Sequence, residues 1–388
     1  MRISFTGDIM CELPTLRMAK SNNEYDFKGI LSDSKIFEKT DYIVGNLETV
    51  LAGKKTKFSK DIYSYNTPDT FADEILRAGF NLVSTANNHC LDRGKDGLIR
   101  TMEILEDKGI EYVGTNLNSD DKRYKIVDFG NLKIGFLSYT YGSNYSINKN
   151  RLDNDDIFHV NFFENQEWID TSRKDLYSKL KDNLISAETR VKILKVLRRD
   201  FNRPRIDNKS LKQLNSNLVI DIQELKRETD FIIMLMHSGG QFNKEPGVYT
   251  KELVKELDKL GVDMVIGNHP HVVQKTDFNS EFFVAYSLGN FFISPDTIYL
   301  INDNLPLYSI VLHMDVLKDN NYKMSFSISK IIKIGKFEKV VDTFELYKDK
   351  EIDKIELLND CKKIYETFTR NKDEDFRIRK EYELYVEK

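Results

Sequence analysis

The chain has little with which to staple itself, to enter a membrane or to attract a polyanion. Three cysteines in 388 residues, Cys11, Cys90 and Cys361, exclude a disulfide framework and fit a reducing compartment. No apolar run approaches the roughly 20 residues of a membrane helix. The opening segment, Met1-Arg2-Ile3-Ser4-Phe5-Thr6-Gly7-Asp8, reaches a polar turn too soon to hold the apolar stretch of about 7–15 residues that a secretory signal needs. These features predict a cytoplasmic protein with no direct membrane insertion. Charge is nearly balanced, 62 acidic against 58 basic residues, which leaves no electrostatic footprint for nucleic acid. Internal repeats and low-complexity segments are lacking as well.

What is there is a core. Apolar residues make up 40% of the chain and charged ones 31%, the balance of a soluble globular protein. The length suits one large domain or two ordinary ones. Through residue 140, short apolar runs alternate with helical ones, a pattern that predicts a sheet built from βαβ units. Strands are expected at Arg2–Thr6, Tyr42–Val44, Asn81–Ser84, Tyr112–Val113, Lys125–Phe129 and Lys133–Tyr139, with a hairpin turn at Gly130-Asn131. Thr67 is placed to N-cap a helix with Pro68 at its first position, offering Phe71, Ile75 and Leu76 to the core and ending at Gly79. A second helix offers Leu98, Met102 and Leu105 and stops near Gly109. Residues 142 to about 226 are rich in Lys, Asp, Asn and Arg, hold the only tryptophan, Trp168, and read as a mostly helical insertion with a run at Ala187–Leu197. The sheet pattern resumes at Phe231–Met236, Asp263–Ile266 and Phe282–Tyr286. A helix bearing Leu253, Leu257 and Leu260 precedes the second of these, and two longer runs, Tyr308–Val316 and Lys323–Ile334, read as an antiparallel pair. The expected division is a main domain over 1–340 and a charged helical extension over 341–388, packed on the outside.

Five strand ends share one design, an apolar run that terminates in potential ligands. They carry Asp8; Asn46 and Glu48; Asn87, Asn88 and His89; His237; and His269 with His271. Four of the six histidines fall at these ends, whereas His159 and His313 sit elsewhere and receive no role. In open α/β sheets the carboxyl ends of the strands are where ligands bind. Imidazole, carboxylate and an Asn carbonyl together suit Zn, Mn or Fe, ions that accept mixed nitrogen and oxygen ligands. Each group also has a plainer reading. Asp8 can bond amides in its own turn, and His237 can be a satisfied histidine at the end of a buried strand. Cys11 and Cys90 adjoin the cluster and read as small buried side chains.

The blocks Gly7-Asp8-Ile9-Met10, Gly45-Asn46-Leu47-Glu48-Thr49, Ala86-Asn87-Asn88-His89 with Asp92 and Gly94, His237-Ser238-Gly239, Gly267-Asn268-His269-Pro270-His271-Val272-Val273-Gln274 and Tyr286-Ser287-Leu288-Gly289-Asn290-Phe291-Phe292 resemble the capsule-synthesis CapA group, or poly-γ-glutamate synthesis family. The resemblance runs over residues 7–292, about three-quarters of the chain. It implies a four-layer α/β/β/α sandwich of the calcineurin-like metallophosphoesterase type. By the same resemblance Asp8, Asn88, His237, His269 and His271 match metal ligands, and His89 matches the imidazole that protonates a leaving group. Three positions depart from the phosphoesterase pattern. Met10 stands where a histidine is expected, Asn46 where a bridging aspartate is expected, and Cys90 where an acidic residue follows the acid histidine. A neutral amide does not offset the repulsion of two cations. Glu48 supplies that charge two residues on, and Asp92 is the candidate to orient His89.

Three functional readings follow. The first is a hydrolase or transferase acting on a phosphoester or on a peptide or γ-glutamyl amide. It would use a divalent metal (Mn, Zn or Fe), one ion being easier to build than two, held by Asp8, Glu48, Asn88, His237, His269 and His271. The second is metal-free acid–base chemistry on a peptide, such as α-carbon epimerisation, with Asp8, Glu48, His89 and His271 as the acid–base cluster. The third is a non-catalytic accessory subunit that binds an acidic polymer through Arg173, Lys174, Arg190, Lys192, Lys195, Arg198 and Arg199. The implied partners are a peptide, polyglutamate or phosphorylated substrate and the proteins of capsule or cell-envelope synthesis.

Overall fold

The computed structural model describes residues 1–384 apart from 61, 131, 167–188, 190, 191, 194–207, 280 and 318–321. Among the described residues two sheets face each other. Strands are numbered β1 (Arg2–Ile9), β2 (Tyr42–Leu47), β3 (Phe80–Ser84), β4 (Glu111–Val113), β5 (Tyr124–Asp128), β6 (Lys133–Thr140), β7 (Phe231–His237), β8 (Met264–Asn268), β9 (Thr276–Phe278), β10 (Phe283–Ala285), β11 (Asn290–Phe292), β12 (Tyr308–Val316), β13 (Tyr322–Ile334), β14 (Phe337–Asp342) and β15 (Tyr382–Leu384). The nine-stranded sheet runs β14-β13-β12-β1-β2-β3-β4, with β11 also on β1 and β15 also on β13; the six-stranded sheet runs β9-β10-β8-β7-β6-β5. β1 to β4 are mutually parallel, as are β6, β7, β8 and β10. The expected hairpin is present as the antiparallel pair β5 and β6, although Asn131 itself lies outside the described residues.

Period-two alternation assigns each strand's side chains to two different cores. Ile3, Phe5, Val44 and Leu82 of the first sheet meet Ile134, Phe136, Ile233, Leu235 and Ile266 of the second in one cluster between the sheets. The alternate residues face outward. Ile43 and Val83 pack with Phe71 and Ile75 of α2 (Thr70–Arg77) and Leu105 of α3 (Gly94–Lys108). Leu137, Met234 and Val265 pack with Leu218 and Ile222 of α4 (Ser216–Glu228) and Leu253 and Leu257 of α5 (Val248–Leu260). The result is helix, sheet, sheet, helix: the four-layer α/β/β/α sandwich that the motifs implied. Elsewhere α1 (Leu13–Ala19) follows β1 and α6 (Lys354–Thr369) lies near the C-terminus. None of the described helices is long and apolar enough to cross a membrane.

Some local expectations change. α2 starts at Thr70 rather than after Thr67, whose hydroxyl is instead taken by Thr49 at 2.7 Å. Leu76 faces solvent and Glu74 faces in, because the Glu74 carboxylate accepts the backbone N–H groups of Gly29, Leu31 and Ser32 at 2.8–3.0 Å. The C-terminal helix is not packed on the outside. Leu357, Cys361, Ile364 and Phe368 form an i, i+4, i+7, i+11 stripe on α6 and join the cluster between the sheets, and β15 extends the first sheet. Charge on the other faces of α6 hid that stripe. In the expected insertion, Trp168, most of Ala187–Leu197, and all but Lys192 of the proposed basic surface lie outside the described residues.

Candidate metal centre

Parallel pairing brings the polar strand ends to one place. Register pairs Asp8 with Asn46 and Asn46 with Ser84 across β1, β2 and β3; in the other sheet His237 pairs with Asn268 and Thr140. Asp8, Asn46, Glu48, Asn87, Asn88, His89, Asp92, His237, His269 and His271 are all buried around this common point. His159 and His313 are elsewhere, bonded to the Asn116 carbonyl at 2.6 Å and to Ser4 Oγ at 2.8 Å.

The densest convergence is at His237. Its Nε2 lies 2.7 Å from Asn88 Oδ1, 3.1 Å from His269 Nδ1 and 3.7 Å from Glu48 Oε1. The edge of a tetrahedron of ligands about 2.0–2.1 Å from a zinc-like ion is about 3.4 Å, which the three distances from His237 Nε2 bracket; Glu48, His237 and His269 bring one ligand atom each within 4.8 Å of one another. Burial, and then the neighbouring imidazoles, hold the pKa values of His237 and His269 well below the usual histidine range. Both rings are therefore neutral near pH 7, the state that ligates. A second group shares Glu48: Asp8, Glu48 and His271 bring one ligand atom each within 4.8 Å of one another. In this set His271 Nε2 has no hydrogen bond among the described residues, but both Asp8 oxygens and His271 Nδ1 are engaged. Asp8 Oδ1 already accepts Asn46 Nδ2 at 2.7 Å, Asp8 Oδ2 accepts the His269 backbone N–H at 3.1 Å, and His271 Nδ1 is 2.9 Å from Asn290 Oδ1.

Glu48 is the group that fits a cation best. It is fully buried, and among the described residues no N–H or hydroxyl donates to either carboxylate oxygen. Its Oε1 stands 3.7–3.8 Å from Nε2 of His89, His237 and His271. Burial first, and then the charge of Asp8, push its pKa well above the usual carboxylate range. An unpaired buried carboxylate costs several kcal/mol, a penalty that a bound divalent ion removes. The donors are imidazole nitrogen, carboxylate and amide oxygen, the chemistry of Zn, Mn or Fe.

Beside these ligands sits a proton-handling pair. His89 Nδ1 is 2.7 Å from Asp92 Oδ2, which also accepts the Tyr65 backbone N–H at 2.7 Å. Asp92 thereby holds the proton on Nδ1 and turns Nε2 toward the centre. Three further supports are not legible in the sequence. The Tyr65 ring lies tilted against His89, 4.2 Å between centroids. Asn148 Nδ2 donates to Asp92 Oδ1 at 3.2 Å, and Asn144 Nδ2 lies 3.4 Å from His89 Nε2. Both asparagines come from the start of the expected insertion, so that segment is not mere surface decoration.

Sequence comparison identifies the family. The model of the bacterial capsule synthesis protein family PGA_cap matches residues 2–295. The chain belongs to this family. Among its relatives are the "Capsule biosynthesis protein CapA" of Bacillus anthracis, 23% identical over 75% of this chain and 59% of that protein, and the "PGA biosynthesis protein CapA" of Bacillus subtilis strain 168, 20% identical over 74% of this chain and 62% of that protein. The chain thus spans about three-fifths of the length of these curated relatives. A candidate 5'-nucleotidase from Staphylococcus aureus, solved in complex with alpha-ketoglutarate, is similar at 15% identity with a TM-score of 0.43, covering 87% of this chain and 56% of that one.

The three departures from the phosphoesterase pattern have physical counterparts. Met10 is buried in the apolar cluster beneath α2. Asn46 is spent as scaffold: its Nδ2 donates to Asp8 and lies 3.3 Å from His237 Nδ1, and its Oδ1 accepts the Ser84 hydroxyl at 2.7 Å. Cys90 is buried and its thiol is pushed up to about 12 by burial, which rules out a resting thiolate near neutral pH. The turn that presents His269 and His271 holds both at positive φ, 98° and 57°, a strained conformation for side-chain-bearing residues.

Proposed function

We propose that this PGA_cap chain is a metal-dependent hydrolase or transferase, breaking a phosphoester or a peptide or γ-glutamyl amide bond. The observation that carries the reading is the buried Glu48 carboxylate, which accepts no N–H or hydroxyl among the described residues and is ringed by imidazole nitrogens. Asn88, His237, His269 and Glu48 would hold one divalent ion, and Asp8 with His271 and the same Glu48 form the lesser second set. When bound, the ion supplies Lewis acidity toward a phosphoryl or carbonyl oxygen and lowers the pKa of water.

The remaining work falls to the chain's own groups. His89 Nε2 faces the centre and exchanges a proton with the departing oxygen or nitrogen, while Asp92 stabilises the imidazolium that this transfer requires. The Asn144 amide beside Nε2 is placed to donate to an oxygen of the reacting group. Tyr65 covers one face of the imidazole and keeps water from it.

The test is metal analysis of the purified full chain, with turnover of phosphomonoester and γ-glutamyl peptide probes measured before and after chelation and with Mn, Zn or Fe restored. Bound metal near one ion per chain and chelator-sensitive cleavage are expected. No bound metal, with solvent deuterium entering an uncleaved peptide, would overturn the reading in favour of metal-free proton exchange.

A further inference from the structure

A cavity of about 360 Å³ is lined in part by Tyr65, whose ring lies against His89. It is bounded by the start of α1, the residues after β11 and the hairpin between β13 and β14. Its charges are sorted. Two carboxylates, Glu12 and Glu338, are buried in its wall, and three exposed cations, Arg17, Lys333 and Lys336, stand around it.

Both buried carboxylates are held by hydroxyl groups alone. Glu12 accepts Tyr65 Oη at 3.0 Å as well as Tyr299 Oη and Thr297 Oγ1. Glu338 accepts Ser294 Oγ at 2.6 Å and Thr15 Oγ1 at 3.1 Å. Neither has an ion pair among the described residues. Hydroxyl donors orient a carboxylate but supply no positive charge, so each wall group still gains from a cation brought by a ligand. At the rim Lys333 pairs with Asp296, whereas Arg17 and Lys336 have no ion pair among the described residues. Between the two sets of charges lie Leu13, Met18 and Ile298, apolar enough to seat a short carbon skeleton.

We propose that this cavity binds the head of an amino acid that keeps both its free ammonium and its free carboxylate. The ammonium sits toward Glu12 and Glu338, and the carboxylate toward Arg17 and Lys336. A simple cation would leave the two rim cations unanswered, and a simple anion would leave the two buried carboxylates so; a zwitterion answers both. Tyr65 makes the cavity contiguous with the proton-handling pair, since its hydroxyl holds Glu12 while its ring lies against His89. The site goes beyond the reaction proposed above and stands or falls without the metal.

Calorimetric titration of the full chain with L-leucine, N-acetyl-L-leucine and L-leucinamide tests this. L-leucine is expected to bind, and blocking either charge to weaken binding by about tenfold or more. The double variant Arg17→Gln/Lys336→Gln, at two exposed positions, should lose the preference for L-leucine over L-leucinamide while keeping its thermal midpoint. Met18→Trp, which fills the cavity, should abolish binding of all three. His237→Ala should leave L-leucine binding unchanged even though it empties the metal centre, which separates this proposal from the previous one. Equal binding of the three probes, binding of none, or undiminished L-leucine binding to Met18→Trp would overturn it.

Discussion

Glu48 Oε1 stands 3.7 Å from His271 Nε2, both are fully buried, and neither atom has a hydrogen-bond partner among the described residues. Two complementary groups this close, each unpaired, leave a gap of the kind a third body fills. The Nε2 atoms of His89 and His237 stand 3.8 and 3.7 Å from the same carboxylate oxygen.

Glu48→Gln should therefore have opposite effects on the metal-free and metal-loaded protein. Replacing a buried, unbonded carboxyl by an amide removes a charge that burial penalises, so in chelator at pH 8 the variant should unfold at a higher temperature than the wild type. With Mn or Zn restored the order should invert, because the variant forfeits ligand-linked stabilisation, about 2.7 kcal/mol when free metal is a hundredfold above Kd. Thermal unfolding in both conditions checks the crossing. A lower midpoint for the variant in both would show that Glu48 has a stabilising partner other than metal.

His89→Ala and Asp92→Asn should lower turnover by about 10²–10⁴-fold while metal content stays at the wild-type level. Asp92→Asn acts by releasing the Nδ1 proton of His89, so its pH–rate profile should shift as well as fall. Asn148→Ala, which removes one hydrogen bond to Asp92, should lose far less. Metal analysis alongside steady-state kinetics distinguishes these variants from His237→Ala, which should lose both metal and turnover.

The pH dependence of the metal-free protein follows from the two depressed histidines. Folding lowers the pKa of His237 and His269 below the ordinary 6.5, so the unfolded chain takes up protons first as pH falls. Their contribution is complete above about pH 6.5 and is lost below it, toward their folded values. Glu48, raised from 4.5, works the other way, its contribution being present at low pH and lost as pH rises through its folded value. Thermal midpoints in chelator should fall below pH 6.5, and His237→Gln should flatten that fall. An identical slope in the variant would refute the assignment.

Two substitutions test the scaffold. A Cβ on Gly7 would sit 1.8 Å from the Gly289 carbonyl oxygen, one residue before Asp8, so Gly7→Ala should cost on the order of 1–3 kcal/mol and lower metal affinity together. Phe368→Ala should cost about 3–5 kcal/mol, because Phe368 lies fully buried between the sheets. Denaturant titration measures both. A near-neutral Phe368→Ala would mean that α6 is dispensable to the core.

The alternation of apolar residues was legible because each strand must bury two faces, and the polar residues that end those strands were legible because nothing in a core tolerates them unpaired. Periodicity failed where a residue's partner is distant in sequence. Glu74 reads as a surface residue until the loop at Gly29–Ser32 brings it three backbone donors. Asn46 reads as a displaced metal bridge until Asp8, Ser84 and His237 are seen to consume its amide.

Sequence alone determined which groups would gather at the carboxyl ends of parallel strands, since strand direction and polar termini are local properties. The spacing that brings Glu48, Asn88, His237 and His269 together was decided only in the tertiary structure, as was the support that Tyr65, Asn144 and Asn148 lend to His89 and Asp92. Those contacts join distant segments, Asn88 and His237 being 149 residues apart, and their geometry comes from the packing of one sheet on the other. No spacing along the chain encodes that distance.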